Sequence, residues 1–258
     1  MGMAPGVSGV YNVPMSQTDH TSQQRYWEEA GRQGYYAGTY YASESVGRHI
    51  TARYWDTAME MADGLGMRAE HRVLDLGCGD GSFANQVLSP RFSTVHGVDF
   101  SKAGISKAQR DSRSAQTTFN SMDLVVEDIH QLGTFDGVFM VGILHHVKAR
   151  TPEIMRAVRA MTDRVVVLEP NGAHPVRKIL ELTPSYRAAG EDSFTARQLG
   201  SMFETAGYRC VVWRRLNLFP NFTPEPLFRL LRPIESTIET TRGLRSLCTV
   251  NMCGFRAG

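Results

Sequence analysis

Nine residues, Val73-Leu74-Asp75-Leu76-Gly77-Cys78-Gly79-Asp80-Gly81, restrict the possible folds more than any other part of the chain. A short apolar run ends in an acid, meets three glycines at alternate positions, and leads into the helical segment FANQVL. Glycines so spaced let a ligand lie against bare backbone, and the helix beyond presents unpaired N–H donors. The strand, turn and helix pattern then repeats. STVHGVDF reads as a second strand, and Ser101 is placed to cap a following helix. LVVED, FDGVFMVGIL and RVVVLEP read as third, fourth and fifth strands, with PEIMRAVRAM as a helix between the last two. Strands that alternate with helices predict an α/β fold with a doubly wound, mostly parallel and buried sheet.

The remaining chain is organised around that core. Residues 1–24 are rich in Gly, Pro, Ser and Gln and read as a flexible tail. Residues 25–69 read as a helical cap. Six of the nine Tyr fall there, together with Trp27 and Trp55, and Val46, Ile50, Tyr54, Ala58, Met61 and Leu65 form a helical stripe. The α/β domain takes residues 70–258, with inserts near 171–194 and 215–245 that exceed ordinary connections and form candidate substrate walls. Leu227, Leu230, Leu231, Ile234 and Ile238 make an amphipathic face kinked at Pro233, which suits a substrate cavity, a dimer interface or, favoured here, the core. The run SLCTVNMCGF is expected to close the sheet as an edge strand.

Charge and cysteine usage exclude several classes. Lys plus Arg number 28 against 26 acidic residues, and no basic run occurs, so nucleic acid and anionic membrane surfaces are not expected partners. The four Cys lack ligand spacing, so no metal site is expected. No stretch is long and apolar enough to span a bilayer, which predicts a soluble, cytoplasmic protein. An assembly of identical copies is compatible with this composition.

Asp99 ends the second strand 24 positions after Asp75, where a doubly wound fold sets an acid against ribose hydroxyls. Asp128 ends the segment Val125-Val126-Glu127-Asp128-Ile129 at the same sheet edge. Dinucleotide sites prefer G-x-G-x-x-G, and Ser82 stands where that pattern wants its third glycine. With DLGCGDG, VDF, VEDI and FDGVFMVGILHHV in order over about residues 70–212, the chain resembles the class I S-adenosylmethionine-dependent methyltransferases of Rossmann-like fold. The resemblance implies that Gly77, Cys78 and Gly79 contact the methionyl part of S-adenosylmethionine and that Asp75 organises its amino end. It further implies Asp99 at the ribose, Phe100 on the adenine face, Asp128 with Ile129 at the adenine edge, and Val141 among the cofactor contacts.

His145 and His146 follow the fourth strand on the side where the methyl group would lie, and extended backbone would point them to opposite sides. Either imidazole is suited to take the acceptor's proton, and Glu169, beyond the fifth strand in LEPNGAH, is a further candidate base. The expected activity is methyl transfer to a small molecule, at oxygen or nitrogen. Carbon methylation of an apolar, polyketide- or terpenoid-like metabolite is the alternative, followed by non-catalytic binding of S-adenosylmethionine and, more weakly, a dehydrogenase.

Overall fold

The computed structural model describes residues 25, 27–29, 32, 41–183 and 193–258. The tail at 1–24, the ring-bearing positions Tyr26, Tyr35, Tyr36 and Tyr40, and part of the first insert lie outside the described residues. Among the described residues, seven strands form one sheet in the order β3-β2-β1-β4-β5-β7-β6. These are β1 (Arg72–Leu76), β2 (Thr94–Asp99), β3 (Thr117–Ser121), β4 (Gly137–Val141), β5 (Arg164–Pro170), β6 (Tyr208–Leu216) and β7 (Val250–Ala257). β1 to β5 pair in parallel, and β7 runs antiparallel to both neighbours. The order reverses between β1 and β4, and in such sheets ligands bind outside the strands' carboxyl ends at that reversal.

Two layers of helix cover the sheet. On one face α1 (Glu44–Gly64), the π-helical turn Ala84–Leu88 and α2 (Lys102–Asp111) bury Met61, Leu88 and Ile105 against Val73, Val95 and Phe139. On the other, α3 (Thr151–Met161) and α5 (Ala196–Thr205) bury Met155, Val158 and Phe203 against Leu74, Val138 and Phe255. Consecutive strand residues such as Val73 and Leu74 therefore serve opposite layers, as the period of two requires. The expected cap helix is also part of the sandwich: Ala58, Met61 and Leu65 sit in the sheet core, while Val46 and Ile50 pack with Phe219 and Phe228 of the second insert. Gly81 fixes how closely α2 approaches the glycine turn. Its φ is +73°, and a Cβ there would lie 2.4 Å from Ala108 Cβ. Gly81→Ala is therefore expected to lower stability by about 1–3 kcal/mol from overpacking alone, read as a lower urea midpoint.

Three expectations are corrected. The third strand is Thr117–Ser121, not LVVED: residues 123–127 form a turn in which the Glu127 and Val126 N–H groups reach Asp123 O at 2.8 and 3.2 Å. Thr117 and Phe119 alternate inward, whereas Val126 is 72% exposed, so alternation prevails over the local apolar run. The last strand is not an edge, because β7 inserts between β5 and β6 and its first six residues are buried. The second insert splits into α6 (Glu225–Leu231) and α7 (Glu235–Thr240) about the 3-10 turn Arg232–Ile234 that holds Pro233. Phe228 and Ile238 point inward, but Leu227, Leu230 and Ile234 are exposed, which contradicts core packing for those three.

Between β5 and β6 lies the short helix α4 (Pro175–Leu180), whose N-cap His174 accepts the Arg177 N–H at Nδ1, 3.2 Å away. Among the described residues no helix is long and apolar enough to cross a membrane.

Candidate active site

At the reversal of strand order the chain encloses two adjoining cavities, of about 300 and 290 Å³. Trp27, Tyr41, Tyr54, Gly142, His146 and Leu168 line both and separate them.

The first cavity rests on the glycine turn. Gly77 has φ +82°, and a Cβ there would strike the Ile143 side chain at 2.7 Å, so only glycine brings β1 this near the loop after β4. Asp99 braces the turn from β2: its Oδ2 accepts the Gly79 N–H at 2.9 Å and its Oδ1 the Ser101 N–H at 2.9 Å. Burial raises its carboxyl from the ordinary range, and those two N–H bonds pull the other way. Each oxygen retains a second lone pair for a ligand hydroxyl. Of the N-terminal residues described, Trp27 lines this cavity. Glu28 accepts the Ser101 hydroxyl at 3.0 Å, beside the start of α2.

Asp75, Gly77, Cys78, Gly79, Asp99, Phe100 and Val141 all line this cavity. Asp128 and Ile129 do not. Asp128 is exposed and accepts the His130 N–H to cap a 3-10 turn, while Ile129 is buried in the core. In their place the structure brings Asp123, Leu124 and Val125 to the cavity edge, because the true third strand ends seven residues earlier. The sequence signal for Asp123 is its position four residues beyond Phe119, in register with the alternating pair Thr117 and Phe119 and two residues past the end of β3. Trp55 and Phe83 also line the cavity and carry no motif.

Asp75 is the most perturbed acid here. Burial, with the nearby Asp99 carboxylate adding to it, pushes its carboxyl up to about 8. Its Oδ2 is buried without a hydrogen-bond partner among the described residues. An unpaired buried acceptor in a cavity that also holds Asp80, Asp99 and Asp123 fits a ligand with a cationic end. The folded-state value exceeds the unfolded value of about 3.9, so Asp75's contribution to stability is complete below about pH 4 and is lost as pH rises through about 8. Asp75→Asn removes that loss. Ligand-free Asp75→Asn protein is expected to unfold at higher urea than the unsubstituted protein at pH 9, by about 1–3 kcal/mol, with the difference vanishing near pH 4.

Beyond β4 the chain turns through the 3-10 segment Leu144–His146, so the two imidazoles do not point to opposite sides as extended backbone would require; their centroids are 3.9 Å apart. Glu169, wholly buried on β5, holds this turn with both oxygens: Oε1 accepts the Leu144 N–H at 2.7 Å and Oε2 the His145 N–H at 3.3 Å. His145 Nδ1 lies 2.7 Å from the same Oε2. With Nδ1–H donated to the carboxylate, Nε2 becomes the ring's acceptor nitrogen. His145 lines the second cavity, and His146 lines both. Burial, with His145 and Arg177 nearby, holds His146 well below the ordinary imidazole range, and its ring meets Trp27 edge-on at 4.9 Å. Asn171 is a framework residue: its amide donates to Cys248 O at 2.8 Å.

Comparisons with known proteins bear on the domain and the fold. A family model described as a methyltransferase domain matches residues 74–168, from β1 through β5. The chain is 28% identical over 181 residues to 27-O-demethylrifamycin SV methyltransferase of Amycolatopsis mediterranei (strain S699), covering 67% of this chain and 60% of that enzyme. The chain thus spans less than two thirds of that relative's length. Magnesium protoporphyrin IX methyltransferase from Synechocystis PCC 6803, solved with bound S-adenosylhomocysteine, superposes with a TM-score of 0.63 at 17% identity, over 93% of this chain and all of that one. The [4+2]-cyclase SpnF superposes with a TM-score of 0.63 at 16% identity, over 91% and 96%. A shared fold accordingly does not dictate a shared reaction. Sequence motifs, sheet order and the matched domain nevertheless converge: residues 74–168 match the methyltransferase-domain family, within a Rossmann-like sheet of the kind that the solved methyltransferases share.

Proposed function

We propose that this protein methylates a hydroxyl of a small molecule, with S-adenosylmethionine in the first cavity and the acceptor in the second. The observation that carries the reading is the His145–Glu169 pair at 2.7 Å, set on the wall of the second cavity beside its boundary with the first. Asp75, Gly77, Cys78, Gly79, Asp99, Phe100, Asp123 and Val141 are the residues that would hold the cofactor. When bound, the cofactor supplies a methyl group that an acceptor lone pair displaces from sulfur, with the sulfur keeping the bonding pair. Leu168 and the rings of Trp27, Tyr41 and Tyr54 exclude water and confine the acceptor beside that cavity. His145 Nε2 takes the acceptor's hydroxyl proton, and Glu169 holds the imidazole in the required tautomer and stabilises the imidazolium that forms.

Glu169 itself is not placed to serve as base. It has no exposed surface and already accepts three donors, so carbon methylation with Glu169 removing the proton has the weaker geometry. Confinement in about 290 Å³ favours a small molecule over nucleic acid or another macromolecule as acceptor. A reader of S-adenosylmethionine without chemistry would not need a buried His–Glu pair facing a second chamber. The test is transfer of labelled methyl from S-adenosylmethionine to a panel of hydroxylated, amino and carbon acceptors. Label on oxygen supports the reading, and label confined to carbon or nitrogen refutes it.

A further inference from the structure

The two cavities differ in charge. Asp75, Asp80, Asp99 and Asp123 line the first. Among the described residues no Asp or Glu lines the second, whose ionisable groups other than tyrosines are Arg177, His145, His146 and His174. Arg177 comes from α4 with only 17% of its side chain exposed, and Glu181 Oε1 lies 3.4 Å from its Nε, so an ion pair fixes the guanidinium at the chamber wall. Glu181 does not line the chamber. Around Arg177 the wall is apolar: Val176, Leu180, Phe219, Phe222 and Val250 contribute side chains, and Val176 and Phe222 remain about half exposed at the rim.

A protonated alkylamine in this chamber would lose water and meet the Arg177 guanidinium, with no carboxylate among the described lining residues. A carboxylate would meet the geometry that a guanidinium recognises best. Burial foremost, then His145 and Arg177, lowers the His146 imidazole below its ordinary range. Building on the methyl-transfer reading, we infer that the acceptor is a hydroxylated apolar acid, with Arg177 as the specificity-determining residue that holds its carboxylate while the hydroxyl faces His145. Hydroxylated acids are selected over neutral alcohols, and alkylamines are rejected.

Three probes built on one naphthalene core test this: 6-hydroxy-2-naphthoate, 2-naphthol and 2-naphthylmethylamine, titrated by calorimetry into the full chain saturated with S-adenosylhomocysteine. The hydroxy acid is expected to bind about tenfold tighter than the naphthol, and the amine weakest. Arg177→Gln should bring the acid down to the affinity of the naphthol, Arg177→Lys should keep most of the preference, and both should bind S-adenosylhomocysteine as the unsubstituted protein does. An amine that binds as tightly as the acid overturns the inference, as does an unchanged preference in Arg177→Gln or binding of none of the three to the loaded protein. Should Arg177→Gln fail to fold, the ranking of the probes on the unsubstituted protein still decides. Failure of S-adenosylhomocysteine to bind at all would instead overturn the methyl-transfer reading, and this inference with it.

Discussion

Single-turnover methyl transfer by His145→Ala is expected to be about 10²–10⁴ times slower than by the unsubstituted protein, the usual cost of removing a positioned general base. The cofactor's affinity should remain nearly unchanged, because His145 lines the second cavity and not the first. Glu169→Gln keeps the volume and the position on β5 but weakens the acceptor that fixes His145 Nδ1–H and the Leu144 N–H, so its rate should also fall, by less than that of His145→Ala. His146→Ala separates the two imidazoles. Its ring sits between the cavities against Trp27, so its removal should alter acceptor affinity more than the rate of the chemical step. Equal rates for His145→Ala and unsubstituted protein would remove His145 from the mechanism. Inactivity confined to His146→Ala would transfer the base role to that ring.

The second large effect lies at Asp99. Asp99→Ala removes a buried carboxylate that accepts the Gly79 and Ser101 N–H groups and faces the cavity, so it both loosens the glycine turn and deletes the candidate ribose contact. Loss of charge-assisted hydrogen bonds of this kind costs about 1.5–3 kcal/mol, so S-adenosylhomocysteine should bind roughly one to two decades more weakly by calorimetry. Asp128→Ala serves as the contrast. That side chain caps a 3-10 turn in solvent, and its removal should leave the affinity unchanged, whereas Asp123→Ala, at the cavity edge, should weaken it.

Those two acids show what could be read from the chain alone. The placing of Asp75, the glycines and Asp99 at the first cavity was legible because their positions are local: a strand end, a tight turn and a backbone approach are written in consecutive residues. Asp128 was not, because β3 is an edge strand in which only Thr117 and Phe119 turn inward, and the apolar run at 124–126 imitates a strand more convincingly. The interior place of β7 depends on pairing with β5 and β6, which no local pattern records. His145 and His146 were identifiable as a pair after the fourth strand, but their different surroundings arise from Glu169, which reaches the turn from 24 positions away in sequence. Arg177 carried no motif; its place at the chamber wall emerges only when α4 is set beside the loop after β4.

The central claim is that the first cavity holds S-adenosylmethionine and its demethylated product, and calorimetric titration of the purified full chain tests it most directly. S-adenosylmethionine and S-adenosylhomocysteine should both bind at one site per chain, and NADH should not compete. Tight NADH binding without binding of either methionine-derived nucleoside would contradict the account.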